Sequence, residues 1–212
     1  GEGGFYPPHP RGGKGGVGLS PHAPYSVSPP LLKRLAEWAR AEGLPLMVHA
    51  AESPEEVAFL ARGEGPLREV YGRFAKTPWT PPGTTPVRHL HALGVLGPTT
   101  LLVHGVQVDE EEVGLLAETG TKVVLCPRSN ANLEVGEAPL ALYAKHGVEL
   151  ALGTDSRGSS PDLDVKNEAR FLWGRAEPRL LVRALTRGGY RALGLPTPRL
   201  TRGTPLSLVH FL

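Results

Sequence analysis

Cysteine is almost absent from this 212-residue chain. Cys126 stands alone, so no intrachain disulfide can form, and a reducing compartment, the cytoplasm, is the expected setting. Methionine is equally scarce, and aromatic residues make up only 6%. Charge of neither sign dominates: 23 Lys and Arg stand against 21 Asp and Glu, for a net charge of +2, and the basic residues are scattered singly. A nucleic-acid surface needs a dense basic stripe interleaved with stacking aromatics, and the sequence offers neither. No apolar run reaches the roughly 18 residues of a membrane-spanning helix. No secretory signal pattern opens the chain. The 27 Gly and 22 Pro are dispersed and punctuate turns, so no low-complexity tract forms. What remains, 40% hydrophobic and 21% charged residues, describes a globular chain long enough to bury one substantial core.

Five apolar runs read as buried strands: Val17–Leu19, Leu44–Val48, Thr99–Val103, Lys122–Leu125 and Val148–Leu152. Between them lie helix patterns with recognisable ends. Ser28 with Pro29 and Pro30 starts one that Gly43 stops, and Ser53 with Pro54, Glu55 and Glu56 starts another that Gly63 stops. Residues 64–85 read as an irregular excursion around a short helix at Leu67–Phe74. Further helices are expected at Pro86–Leu93, from Asp109 to Gly120, at Pro139–His146, at Leu163–Trp173 and at Pro178–Arg187, with Cys126–Asn130 as a loop. Strand–helix alternation puts the strands parallel in one sheet with right-handed crossovers. The expected class is α/β, a partial (β/α)8 TIM-type barrel containing the later strands only. Residues 1–198 are assigned to that barrel. Residues 199–212, which read as a turn and a strand with no helix following, are assigned to the start of a small C-terminal β segment.

The residues with chemistry to offer follow the strand runs. His49 and Glu52 form H-x-x-E, His104 ends TLLVH, and Asp155 lies in G-T-D-S after ALG. An imidazole and carboxylates at strand ends can ligate a metal, and a glutamate beside them can move a proton. Each has a plainer reading as well: Glu52 as a charge at a helix N-terminus, Asp155 as a turn cap, His104 as a satisfied core histidine. His22 sits in the rigid turn S-P-H-A-P-Y, and Arg128, Ser129 and Asn130 offer donors to a polar substrate or simply line a Pro-containing loop. His89, His91 and His146 read as structural or surface residues, and Cys126 as buried and inert.

The ordered segments PHAPYSVSPPLL, VHAAES, LLVHG, CPRSNANLEVG and ALGTDS, with Glu168 downstream, resemble the amidohydrolase superfamily. The nearest branch is similar to deaminases of S-adenosylhomocysteine, methylthioadenosine and aminodeoxyfutalosine. The resemblance implies a single divalent metal, Zn or alternatively Fe, with His49 and Asp155 as metal ligands. It implies Glu52, His104 and Asp155 as catalytic residues, with Glu52 as proton shuttle, and substrate contacts from His22, Arg128, Ser129 and Asn130. The implied reaction is hydrolytic deamination of a 5′-modified adenosine, a small-molecule substrate, in the cytoplasm; a homo-oligomer is left open. The branch also carries an H-x-H pair after its first barrel strand. None precedes His22 here, and His89-Leu90-His91 comes too late in the chain. The expectation is therefore that the chain covers the later part of a longer enzyme. Two other readings stand beside the deaminase: a chlorohydrolase acting on an s-triazine-like ring, and a catalytically inactive barrel fragment.

Overall fold

A computed structural model describes residues 17–74 and 79–197. Four strands, β1 (Leu46–Ala50), β2 (Thr100–His104), β3 (Lys122–Leu125) and β4 (Leu150–Leu152), form one sheet in the order β1-β2-β3-β4. All three pairings are parallel, with Ala50 opposite His104, Val103 opposite Val124 and Leu125 opposite Leu152. The strands are Leu- and Val-rich, as a sheet covered on both faces requires. Every residue of β2 is buried. Strand β1 alternates instead, with Leu46, Val48 and Ala50 buried while Met47 and His49 lie on the more open face.

Among the described residues, ten α-helices connect and flank the strands: α1 (Pro29–Glu42), α2 (Pro54–Arg62), α3 (Pro66–Phe74), α4 (Pro86–Ala92), α5 (Glu110–Thr119), α6 (Pro127–Asn132), α7 (Leu140–Lys145), α8 (Val165–Phe171), α9 (Pro178–Arg183) and α10 (Gly189–Ala192). Their ends obey local chemistry. Ser53 Oγ accepts the Glu56 N–H at the start of α2, and Asp109 and Glu112 close a reciprocal capping box on α5. Gly43 ends α1 in the left-handed conformation, φ 64°. The core lies where α1, α4, α5 and α7 pack on the sheet, centred on Leu32, Leu46, Leu90, Leu102, Leu116 and Tyr143. No helix among the described residues is long and apolar enough to cross a membrane.

Four expectations need correction. The first strand, Val17–Leu19, is reduced to a single parallel bridge between Leu19 and Leu46; Gly18 gives it no side chain to pack, and Pro21 has no N–H to continue a ladder. His49 sits inside β1 and does not follow it. Cys126–Asn130 is not all loop: Pro127 starts the six-residue α6, since a proline pre-set to helical φ loses nothing at a first-turn position. The last helix does not stop at Arg187, because α9 runs through a π-helical turn, Ala184–Gly188, into α10. The β segment expected at 199–212 lies outside the described residues, as do His9 and His210.

Candidate active site

A parallel sheet brings the carboxyl ends of all its strands to one edge, and the chemically capable residues gather there. The backbone enters the left-handed region at three of the exits. Ala51, His104 and Asp155 have positive φ of 54°, 75° and 59°. Such a backbone is uncommon outside glycine, least so for Asn, Asp and His, and it clusters at functional sites.

One ligand-capable atom each from Glu52, His104 and Asp155 lie within 4.8 Å of one another. Carboxylate oxygens and an imidazole nitrogen are the donor set that a zinc ion takes. His104 is buried, and its Nδ1 donates to Asn130 Oδ1 at 2.8 Å. That leaves Nε2 facing Glu52 Oε1 at 3.5 Å. His49 is fixed in the same way. Its Nδ1 donates to the His22 carbonyl at 3.0 Å, and its backbone N–H reaches the same oxygen at 2.8 Å. A second hydrogen bond on Nδ1 sets the tautomer and keeps a lone pair on Nε2. The His49 ring lies 5.4 Å from that of His104 and 5.3 Å from that of His22.

Asp155 is shaped by two hydroxyls. Ser129 Oγ and Ser159 Oγ both donate to Oδ2, at 2.8 and 2.6 Å, which leaves Oδ1 outside these bonds. Burial works to raise this carboxyl, but the Ser159 and Ser129 donors outweigh it and hold it below the usual carboxylate range. Burial and the neighbouring His49 lower the His22 imidazole. Beneath Glu52 lies Glu56, whose Oε2 accepts the Glu52 N–H at 2.8 Å. Burial pushes the Glu56 carboxyl up to about 8, so it is a neutral acid at pH 7.

The structure thus gathers Glu52, His104 and Asp155, with His49 beside them. Ser129 and Asn130, expected to contact substrate, bond to Asp155 and His104. The Arg128 guanidinium is paired with Asp162. The His22 ring is exposed, with its Nδ1 2.7 Å from Ser26 Oγ. Cys126 is buried, and burial raises its thiol, in keeping with an inert residue. His89 is buried in α4 and His146 caps α7 beside Glu110 at 3.0 Å, both structural placements. Sequence reasoning missed Glu56, Ser159 and Asp162. The first had a visible signal, since Ser53-x-x-Glu56 is a capping-box pattern. The other two are identified only by contacts that folding creates.

Residues 10–211 match the model of the amidohydrolase family. The chain is 43% identical over 203 residues to an aminodeoxyfutalosine deaminase of Deinococcus radiodurans, covering 88% of this chain and 47% of that protein. It is 36% identical over 189 residues to a 5-methylthioadenosine/S-adenosylhomocysteine deaminase of Syntrophobacter fumaroxidans, covering 84% of this chain and 39% of that protein. The chain spans less than half the length of these curated relatives. Among solved structures, a zinc-bound adenosine deaminase of Xanthomonas campestris superposes with a TM-score of 0.68 at 31% identity, over 84% of this chain and 38% of that one. With a family match over residues 10–211 and a relative 43% identical across 88% of this chain, the chain belongs to the amidohydrolase family.

Proposed function

We propose that the four parallel strands are part of a (β/α)8-type barrel and that its polar edge performs metal-dependent hydrolytic deamination of a 5′-modified adenosine. The observation that carries this reading is the convergence of Glu52, His104 and Asp155 on one space within 4.8 Å, beside a His49 whose Nε2 is left free. His49 and Asp155 would hold one divalent ion, with zinc favoured by the donor set and by the zinc-bound relative. Such an ion lowers the pKa of water toward neutrality and polarises it for attack. The remaining work falls to the chain's own side chains. Asp155 accepts the proton that water gives up as its oxygen adds to the ring carbon bearing the amine. Glu52 delivers its proton to the ring nitrogen, is recharged with the proton held by Asp155, passes that one to the departing amine, and takes back the proton of the new hydroxyl as the carbonyl forms. His104, held by Asn130 on one side and facing Glu52 on the other, orients that shuttle. The net change replaces the ring amine with oxygen and releases ammonia.

A proton donor is needed because ammonia leaves an aromatic ring poorly as an anion, whereas chloride leaves without help. Glu52 therefore favours deamination over dehalogenation. Among substrates, aminodeoxyfutalosine is the first choice, supported by the 43% identity to the Deinococcus protein. The test is ammonia release from a panel of adenosines modified at the 5′ position, beside chloride release from atrazine-type triazines. Ammonia release should be far the faster. Faster chloride release would overturn the deaminase reading.

A further inference from the structure

Arg128, Ser129 and Asn130 are consecutive on α6, yet each is committed elsewhere. Ser129 Oγ donates to Asp155 Oδ2 and Asn130 Oδ1 accepts from His104 Nδ1, both at 2.8 Å. Arg128 joins neither site residue. Its Nη1 and Nη2 form a two-pronged pair with Asp162 Oδ1 and Oδ2, each at 2.8 Å, and its backbone N–H donates to Glu168 Oε2 at 3.0 Å. Asp162 is itself braced by the Asp164 N–H at 2.9 Å and by Asn167 Nδ2 at 3.1 Å. Glu168 is fully buried, with its second oxygen 3.6 Å from Arg128 Nη1. Thus α6 is tied to α8 and the segment leading into it at one end, and presents two site-facing side chains at the next two positions.

A helix of six residues cannot hold itself in place, since nucleating one turn fixes several dihedrals for a single hydrogen bond. Something outside α6 must set its orientation. We propose that Arg128 is a positioning residue and not a substrate contact: its fork with Asp162, backed by Glu168, fixes α6 so that Ser129 and Asn130 orient Asp155 and His104. The Arg128 side chain is only 14% exposed, and both its terminal nitrogens are engaged, so little of it remains to offer a ligand. Lysine cannot substitute, because a single ammonium does not reproduce a planar two-pronged pair.

The inference leans on the proposed deamination only for its kinetic readout. The variants are Arg128→Lys, Asp162→Ala and the double substitution, with Glu149→Gln as a control that breaks an ion pair elsewhere. In protein carrying ¹⁵N-labelled histidine, the buried His104 Nδ1–H should give a protected signal in the parent. That signal should broaden or vanish in both single variants, go no further in the double, and persist in the control. Zinc affinity should fall about tenfold or more, as it does when groups that orient metal ligands are removed. On the 5′-modified adenosines, kcat should fall by a similar factor with KM within about twofold of the parent. A raised KM in Arg128→Lys with Asp162→Ala behaving as the parent would make Arg128 a substrate contact and overturn the proposal. An unchanged His104 signal in both single variants would also overturn it. If the parent deaminates no adenosine derivative, the activity assignment fails by itself, and the His104 signal and zinc affinity still decide the role of Arg128.

Discussion

Glu56 holds Glu52 from below: its Oε2 accepts the Glu52 backbone N–H at 2.8 Å, while Oε1 is buried with no hydrogen-bond partner among the described residues. The neutral carboxyl acts as a buried acceptor, a task an amide can also perform. Glu56→Gln should therefore retain most of the stability. Glu56→Ala leaves the part-buried Glu52 N–H without its acceptor, which costs up to about 1–3 kcal/mol. Urea unfolding of the two variants checks this, and equal losses would contradict it.

Acid should weaken the fold at a site far from the chemistry. Glu149 pairs with Arg183 at 2.5 Å and with Arg191 at 2.9 Å. Burial works to raise its carboxyl, but the two guanidinium groups outweigh that and hold it below its ordinary value of 4.5. A depressed folded-state value means that this stabilisation is present above the unfolded value and is lost as pH falls through the folded one. Melting temperature should thus drop more steeply below about pH 4.5 in the parent than in Glu149→Gln, with a difference of up to about 1 kcal/mol at neutral pH. Parallel slopes would remove the pair from the account.

The π-helical turn is built on a missing side chain. A Cβ on Gly188 would stand 2.1 Å from the Leu150 carbonyl oxygen and 3.1 Å from Ala151 Cα, both backbone atoms of β4 or its edge. Neither can swing aside, so Gly188→Ala must push the helix off the strand. Overpacking of this kind costs about 1–3 kcal/mol. A thermal melt within a degree of the parent would show that the contact is looser than described.

Much of this arrangement was legible in the chain. The runs around Leu46, Leu102, Val123 and Leu150 gave the strands, and Ser53, Asp109, Gly43 and Gly120 gave helix ends, because caps act over three or four residues. Glu52, His104 and Asp155 were legible as a group because a parallel sheet sends every strand end to one edge. What stayed hidden depends on distance in sequence. Asp162 meets Arg128 across 34 residues and Glu168 meets it across 40, and no local pattern encodes either contact. The partners of Ser129 and Asn130 stayed hidden for the same reason: Asp155 and His104 lie 26 residues away from them in the chain. The π-helical turn was unreadable because the contact that accompanies it, the close approach of Gly188 to β4, is tertiary.

Metal content should follow His49. The hydrogen bond from Nδ1 to the His22 carbonyl leaves Nε2 as its only free donor atom. The parent should carry about one zinc per chain after dialysis against a weak chelator, and His49→Ala should lose most of it, while an anomalous-scattering map of the parent should place the peak between His49 and Asp155. Full zinc content in His49→Ala would exclude it as a ligand.

The proposed deamination requires Glu52 to move the proton that lets ammonia leave. Glu52→Gln keeps the shape of the side chain and the backbone N–H to Glu56, and removes only the titrating group. The decisive measurement is steady-state ammonia release from a 5′-modified adenosine by this variant, with zinc content determined on the same sample. A fall in kcat of about 10²–10⁴-fold at unchanged zinc content is expected. Turnover within a few fold of the parent, with zinc retained, would contradict it.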